Sequence, residues 1–155
     1  MFCIFYVFEQ ERSTEFTLAE KQKLKIIPLG GLDEIGKNIT VLEYGKDMIV
    51  VDCGLGFPDE DMYGIDLVIP DFSYLVANQK KLRGMFITHG HEDHIGSIPY
   101  CMQQVSCPIH GTAMTNGLIK LKLEEHRIAD KVKLITHKPG DVVICFLEVW
   151  RFERI

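Results

Sequence analysis

The sequence predicts an α/β domain, and three observations predict it. Its first structured third is a series of short β-branched runs separated by glycines. Its second half alternates helix-period stripes with short apolar runs. Its 155 residues, 46% hydrophobic and 25% charged, are enough for one modest buried core and not for two. Residues 9–25 are polar and aperiodic, so 1–23 reads as a poorly ordered leader and 24–155 as the domain proper.

The elements follow in chain order. Leu24 to Pro28 is a first strand, and the segment with Gly30, Gly31 and Gly36 leads to a second at Ile39–Tyr44. Gly45-Lys46-Asp47 is a turn into Met48–Val51, which makes these two strands a hairpin. Residues 55–74 carry glycines, prolines and aspartates and predict a long irregular loop. A short helix at 72–80 precedes a buried strand at 82–88. Apolar residues at Ile95, Ile98, Pro99, Met102 and Val105 predict one helix with Asp93 and His94 at its start. Thr112 to His126 predicts another, with Met114, Leu118, Ile119 and Leu121 as its apolar stripe against Lys120, Lys122, Glu124 and Glu125. Short strands are expected at 107–110, 132–136 and 142–150, with a Pro139-Gly140-Asp141 turn before the last.

Composition narrows the partners. Seventeen Lys and Arg against 22 Asp and Glu give a net charge of -5, so no global field favours a polyanion. Nucleic-acid binding would need a local basic patch, metal ions or a partner domain. The five cysteines (Cys3, Cys53, Cys101, Cys107, Cys145) include no C-x-x-C pair. They read as buried apolar fillers of a reducing cytoplasm rather than a disulfide framework or zinc knuckle. The apolar run 1–8 is too short to span a bilayer and lacks a basic flank, so no membrane anchor is expected.

The chemistry concentrates at the end of the strand at 82–88. His89, His91, Asp93 and His94 fall within six residues. In an extended segment His89 and His91 point the same way, and Asp93 and His94 follow at a helix entry, where they can face a second position nearby. Nitrogen and oxygen donors without thiolate suit zinc, manganese or iron in a catalytic site rather than calcium or a closed structural zinc. His110, His126 and His137, each alone in the sequence, read as ordinary surface or core residues.

H-x-H-x-D-H, here His89-x-His91-x-Asp93-His94, resembles the signature of the metallo-β-lactamase fold superfamily. Three stretches together, Leu29-Gly30-Gly31-Leu32-Asp33-Glu34-Ile35-Gly36-Lys37-Asn38, Val51-Asp52-Cys53-Gly54 and Thr88–Gly96, look like the ribonuclease J family of the β-CASP type. The resemblance covers roughly 24–143. It implies the first part of an αββα sandwich, a mixed sheet with flanking helices, incomplete in this chain. It further implies two divalent metal ions, zinc or manganese, one held by His89 and His91 and the other by Asp93 and His94. RNA would be the substrate, with Asp93 also orienting the attacking hydroxide; the complete family member would be a cytoplasmic homo-oligomer. Asp52 matches an acid that supports the metal centre by hydrogen bonding, or else it caps the tight Asp52-Cys53-Gly54 turn. For the segment with Gly30, Gly31 and Gly36, a plain strand-to-strand loop is expected over a phosphate cradle.

Other parts of the family pattern do not occur in these 155 residues: further histidines and a bridging aspartate, the β-CASP domain that shapes the RNA channel and sets exonuclease or endonuclease action, and a C-terminal domain. Weak metal affinity and little nuclease activity are expected of the chain by itself. Two alternatives stand beside the ribonuclease reading: another hydrolase of the superfamily acting on an ester, thioester or lactam, and a non-catalytic fragment or binding module. No residue is assigned to substrate binding.

Overall fold

The computed structural model describes residues 23–145 and 148–151, with the backbone alone from 144 onward. The expected leader therefore lies, but for Lys23, outside the described residues. Six strands form one mixed sheet in chain order: β1 (Lys25–Gly30), β2 (Ile39–Tyr44), β3 (Asp47–Val51), β4 (Leu82–Phe86), β5 (Ile109–Gly111) and β6 (Leu134–Thr136). The first three pair antiparallel and β3 to β6 run parallel. This is the predicted α/β class, with the predicted hairpin formed by β2 and β3. Helices α1 (Ser73–Ala77), α2 (Glu92–Ile95), α3 (Ile98–Cys101) and α4 (Ala113–Glu125) fill the connections.

Alternation along the strands sorts side chains onto two faces. Met48 and Val50 of β3, with Met85 and Ile87 at β4, join Leu75, Ile95, Ile98, Ile119 and Leu123 from the helices in the main core. On the opposite face Ile49 and Phe86 pack with Leu42, Val51 and Val143. A buried carboxylate locks one edge of the core. Glu43 on β2 accepts from Lys25 Nζ (3.0 Å), Lys81 Nζ (3.1 Å) and the Tyr74 hydroxyl (2.8 Å). Burial pushes its pKa up, but the three donors outweigh that and hold it at about 2, so β1, β2, α1 and the turn before β4 are tied at one charged point.

Three expectations are corrected. The helix expected over 95–105 is two single turns, α2 and α3, with Asp93 and His94 inside the first. Gly96 packs so closely that an added Cβ would lie 2.4 Å from Leu55 Cδ2 and 2.6 Å from the Glu92 carbonyl oxygen, and Pro99 lacks the N–H a continuous helix needs. In α4 the buried residues are Thr115, Asn116, Ile119 and Leu123. Met114 is 79% exposed and Leu121 58%, so of the predicted stripe only Ile119 is in the core. The polar members explain the difference: Thr115 bonds the N-cap Thr112, and Asn116 Nδ2 donates to the Ile135 carbonyl at 3.0 Å, docking the helix on β6. Finally, the strand expected over 142–150 is a hairpin, β7 (Val142–Cys145) with β8 (Glu148–Arg151).

Residues 55–72 form the expected irregular loop, pinned by bridges from Gly56 to Gly36 and Val68. The C-terminus of α4 closes with the paired bonds of a Schellman motif, Ile128 N–H to the Leu123 carbonyl and Arg127 N–H to the Glu124 carbonyl, both 2.9 Å. Arg127 takes the left-handed position at φ +57°, where glycine is usual. Cys53, Cys101 and Cys107 are buried free thiols, as expected of apolar fillers. Burial, with Cys101 beside it, pushes the Cys107 thiol up to about 12.

Candidate metal centre

The predicted donors gather at the carboxyl ends of β3 and β4, the end of a parallel sheet where ligands ordinarily bind. β4 ends at Phe86 and the chain runs through Ile87 and Thr88 into His89–His94; β3 delivers Asp52. The rings of His89 and His91 meet edge to face at 4.5 Å, and those of His89 and His94 at 4.0 Å. All four predicted ligands are thus brought together. Among the described residues, however, no group of three or more His, Cys, Asp or Glu is placed so as to hold a metal ion outright.

Asp52 organises the rings. Its backbone is left-handed at φ +60°, a conformation unusual for a non-glycine residue and typical of functional strain. Its carboxylate accepts from Thr88 N–H at 2.8 Å and from Thr88 Oγ1, and lies 2.8 Å from His94 Nδ1. It bonds the histidine and the strand end, not its own turn. Thr88 Oγ1 in turn lies 3.0 Å from His89 Nδ1. The network is satisfied when both histidines carry a proton on Nδ1 and Thr88 donates to Asp52, which makes Nε2 the lone-pair nitrogen of each ring.

Electrostatics favour the neutral ring at His89 and the protonated ring at His94. Burial, and then the neighbouring His94 and His91, lower the pKa of His89 and favour its neutral form. Burial also presses His94 toward neutrality, but the hydrogen bond and charge of Asp52, with the charge of Asp93, outweigh it and raise His94 above the usual histidine value.

The fit to a cation rests on one apposition. His94 Nε2 and Asp93 Oδ2 face each other at 3.3 Å. With the proton on Nδ1 both atoms are acceptors, so the apposition calls for a donor, a proton or a cation beside them. Asn38 Nδ2 stands beside both, 3.1 Å from Asp93 Oδ2 and 3.3 Å from His94 Nε2, and also donates to the Asp93 carbonyl at 3.0 Å. The donor chemistry therefore fits a divalent ion, with side-chain adjustment needed to close a full shell.

Sequence reasoning gave no role to Asn38, Thr88 or Gly54. Gly54 is required because an added Cβ would sit 1.6 Å from the Asp93 carbonyl oxygen. The 52–55 strap is bonded to the ligand turn, Cys53 N–H to the His94 carbonyl (2.8 Å) and Leu55 N–H to the Glu92 carbonyl (3.2 Å). No spacing rule flags these residues, because the bonds of Asn38 to Asp93 and His94, the bond of Thr88 to Asp52 and the approach of Gly54 to Asp93 cross 36 to 56 positions. The Gly30–Gly36 segment connects β1 to β2 as a loop, its Gly31 N–H donating to Glu34 Oε1 at 3.0 Å.

The remaining histidines are not solitary in space. His110 Nδ1 lies 2.8 Å from His137 Nε2 and stacks on Phe86 at 4.5 Å. Burial, then the charges of His137 and Lys133, push His110 down to about 4. His126 meets Tyr100 edge-on at 5.1 Å. Two grooves, one lined by Lys120, Arg127 and Asp130 and the other by Gln79, Gln103 and Lys131, lie toward the other end of the strands. No described helix is long and apolar enough to cross a membrane.

The model of the family described as the metallo-beta-lactamase superfamily matches residues 32–148. Ribonuclease J of Synechocystis sp. is 46% identical over 125 residues, which are 80% of this chain and 20% of that protein. Ribonuclease J of Helicobacter pylori is 48% identical over 72% of this chain and 16% of its own length. Ribonuclease J 2 of Staphylococcus aureus is 44% identical over 76% and 21%. The chain spans about a fifth of the length of the curated relatives it matches. Among solved structures, the metallo-beta-lactamase fold protein YhfI from Bacillus subtilis superposes with a TM-score of 0.50 at 21% identity, covering 79% of this chain and 49% of that one; that likeness concerns the fold.

Proposed function

Since the chain belongs to the metallo-beta-lactamase superfamily, we propose that it carries the metal-binding half of a ribonuclease J-like hydrolase that cleaves RNA phosphodiesters. The observation that carries the metal chemistry is the apposition of His94 Nε2 and Asp93 Oδ2 at 3.3 Å beneath the Asp52–Thr88 network. Its direction toward RNA is supported by 42–48% identity to proteins named ribonuclease J.

His89 and His91 would hold one divalent ion, and Asp93 and His94 the second; zinc and manganese both suit these donors. Such ions, when bound, lower the pKa of a water and offset charge on the phosphodiester. Asp52 keeps His94 protonated at Nδ1 and so presents Nε2 toward Asp93. Thr88 relays the same orientation to His89. Asn38 fixes the Asp93 carboxylate, which orients the attacking water. The buried free thiols support a cytoplasmic location.

The test is hydrolysis by the protein encoded by the complete reading frame, with added zinc or manganese, of labelled RNA beside a lactam and a thioester. RNA cleavage lost on His91→Ala and Asp93→Asn is the expected result. Lactam or thioester turnover without RNA cleavage would overturn the ribonuclease reading.

A further inference from the structure

We propose that Lys37 and Phe57 form a nucleotide-holding rim beside the metal centre, Lys37 taking a backbone phosphate and Phe57 stacking a base of single-stranded RNA. The inference rests on the RNA reading above and adds the substrate contacts that the histidine cluster itself does not supply.

The two loops that carry these residues are sewn to the candidate site. Lys37 N–H donates to the Leu55 carbonyl at 2.9 Å and Gly54 N–H to the Asn38 carbonyl at 3.0 Å, while Leu55 N–H reaches the Glu92 carbonyl. Lys37 therefore precedes the residue whose amide touches Asp93 and His94. Phe57 follows Leu55 by two residues, about 7 Å of extended chain, which is the scale of one nucleotide step.

The Lys37 side chain lies across Gly56. A Cβ added there would stand 2.9 Å from Lys37 Cγ and 3.4 Å from Cε, so the alkyl stem runs along the backbone immediately before Phe57. Its ammonium pairs with Glu34 Oε2 at 2.6 Å, with both side chains partly open to solvent. An ion pair in that setting contributes little and exchanges readily for another anion. In a chain of net charge -5, a cation held at this point supplies the local attraction for phosphate that the whole molecule lacks.

Phe57 is 64% exposed, and Leu32, Ile35 and Tyr63 on the same two loops are 68%, 90% and 92% exposed. Large exposed apolar side chains on two loops joined at Gly36 and Gly56 are a feature of binding surfaces. An exposed ring and a cation carried on two adjoining loops are the pair of groups that tracks single strands, the base on the aromatic face and the phosphate on the lysine.

The test measures anisotropy of a fluorescent pentauridylate with the full reading-frame protein in EDTA, so that cleavage plays no part. Phe57→Ala should weaken binding about tenfold while changing affinity for an abasic analogue less than about twofold. Lys37→Asn, a residue that tolerates the φ of +49° at this position, should reduce the slope of log K against log salt by about 0.7. Glu34→Gln keeps an acceptor for Gly31 N–H but frees the lysine, and should tighten binding several-fold. Absence of binding by the unaltered protein, or unchanged affinity in all three variants, overturns the rim. RNA cleavage by the unaltered protein scores the ribonuclease reading separately, since it can persist when the rim fails.

Discussion

Asp52→Asn isolates the orienting role of one carboxylate. Asparagine tolerates the left-handed backbone at φ +60°, and its amide oxygen can still accept from Thr88 N–H, so the fold is expected to survive. What changes is the face toward His94. An amide NH2 there opposes the Nδ1 proton that Asp52 now accepts at 2.8 Å, and the ring relieves the clash by moving its proton to Nε2. That nitrogen is the one facing Asp93 Oδ2 at 3.3 Å, and once protonated it cannot ligate. Loss of a partner that orients a metal-binding histidine lowers metal affinity about 10- to 100-fold. Loss of the charge-assisted hydrogen bond lowers the stability of the metal-free protein by about 2 kcal/mol. Zinc affinity from competition with a chromophoric chelator, and urea unfolding in EDTA, read the two effects separately. Zinc affinity within twofold of the unaltered protein would refute the reasoning and leave Asp52 as a structural tie between β3 and the end of β4.

Other outcomes follow from the same geometry. Gly54→Ala places a methyl inside the Asp93 carbonyl and should lose more than about 3 kcal/mol together with metal binding, read by thermal melts with and without zinc. Arg127→Gly removes a left-handed non-glycine residue from the C-terminal cap of α4 and should raise stability by about 1 kcal/mol in urea titrations. His110 is held neutral in the fold, with its pKa lowered from 6.5 to about 4. The unfolded chain therefore takes up the proton first: the stability due to His110 is full above about pH 6.5 and is lost as pH falls toward 4. The loss is about 3 kcal/mol, and His110→Phe should remove that part of the pH slope.

The sequence was most legible where chemistry and local period coincide. His89, His91, Asp93 and His94 lie within one turn of chain, so their convergence could be read from spacing, and the β2–β3 hairpin from its glycine turn. The misread face of α4 has a different origin. Its buried side carries Thr115 and Asn116, which are in the interior because β6 and the N-cap satisfy their hydrogen bonds, and an apolar stripe takes no account of satisfied polar groups. The broken helix after His94 depended on Leu55 packing over Gly96, a contact from 41 positions away. Asn38 and Thr88 were given no role for the same reason, and the approach of His110 to His137 was not foreseen.

The strap at 52–55 has a consequence for how the site comes into being. Asn38, the strap and the ligand turn are joined by bonds spanning up to 56 positions, so the histidine segment acquires its geometry only after β1 to β4 have closed around it. Bringing such distant stretches together is the slow part of folding. A peptide of residues 88–94 would therefore present the same letters without the folded arrangement of its rings, and a nascent chain exposes the motif before that arrangement forms. On the proposed metal reading, selectivity would be a property acquired on folding, and misplaced ions a hazard of the interval before the sheet forms.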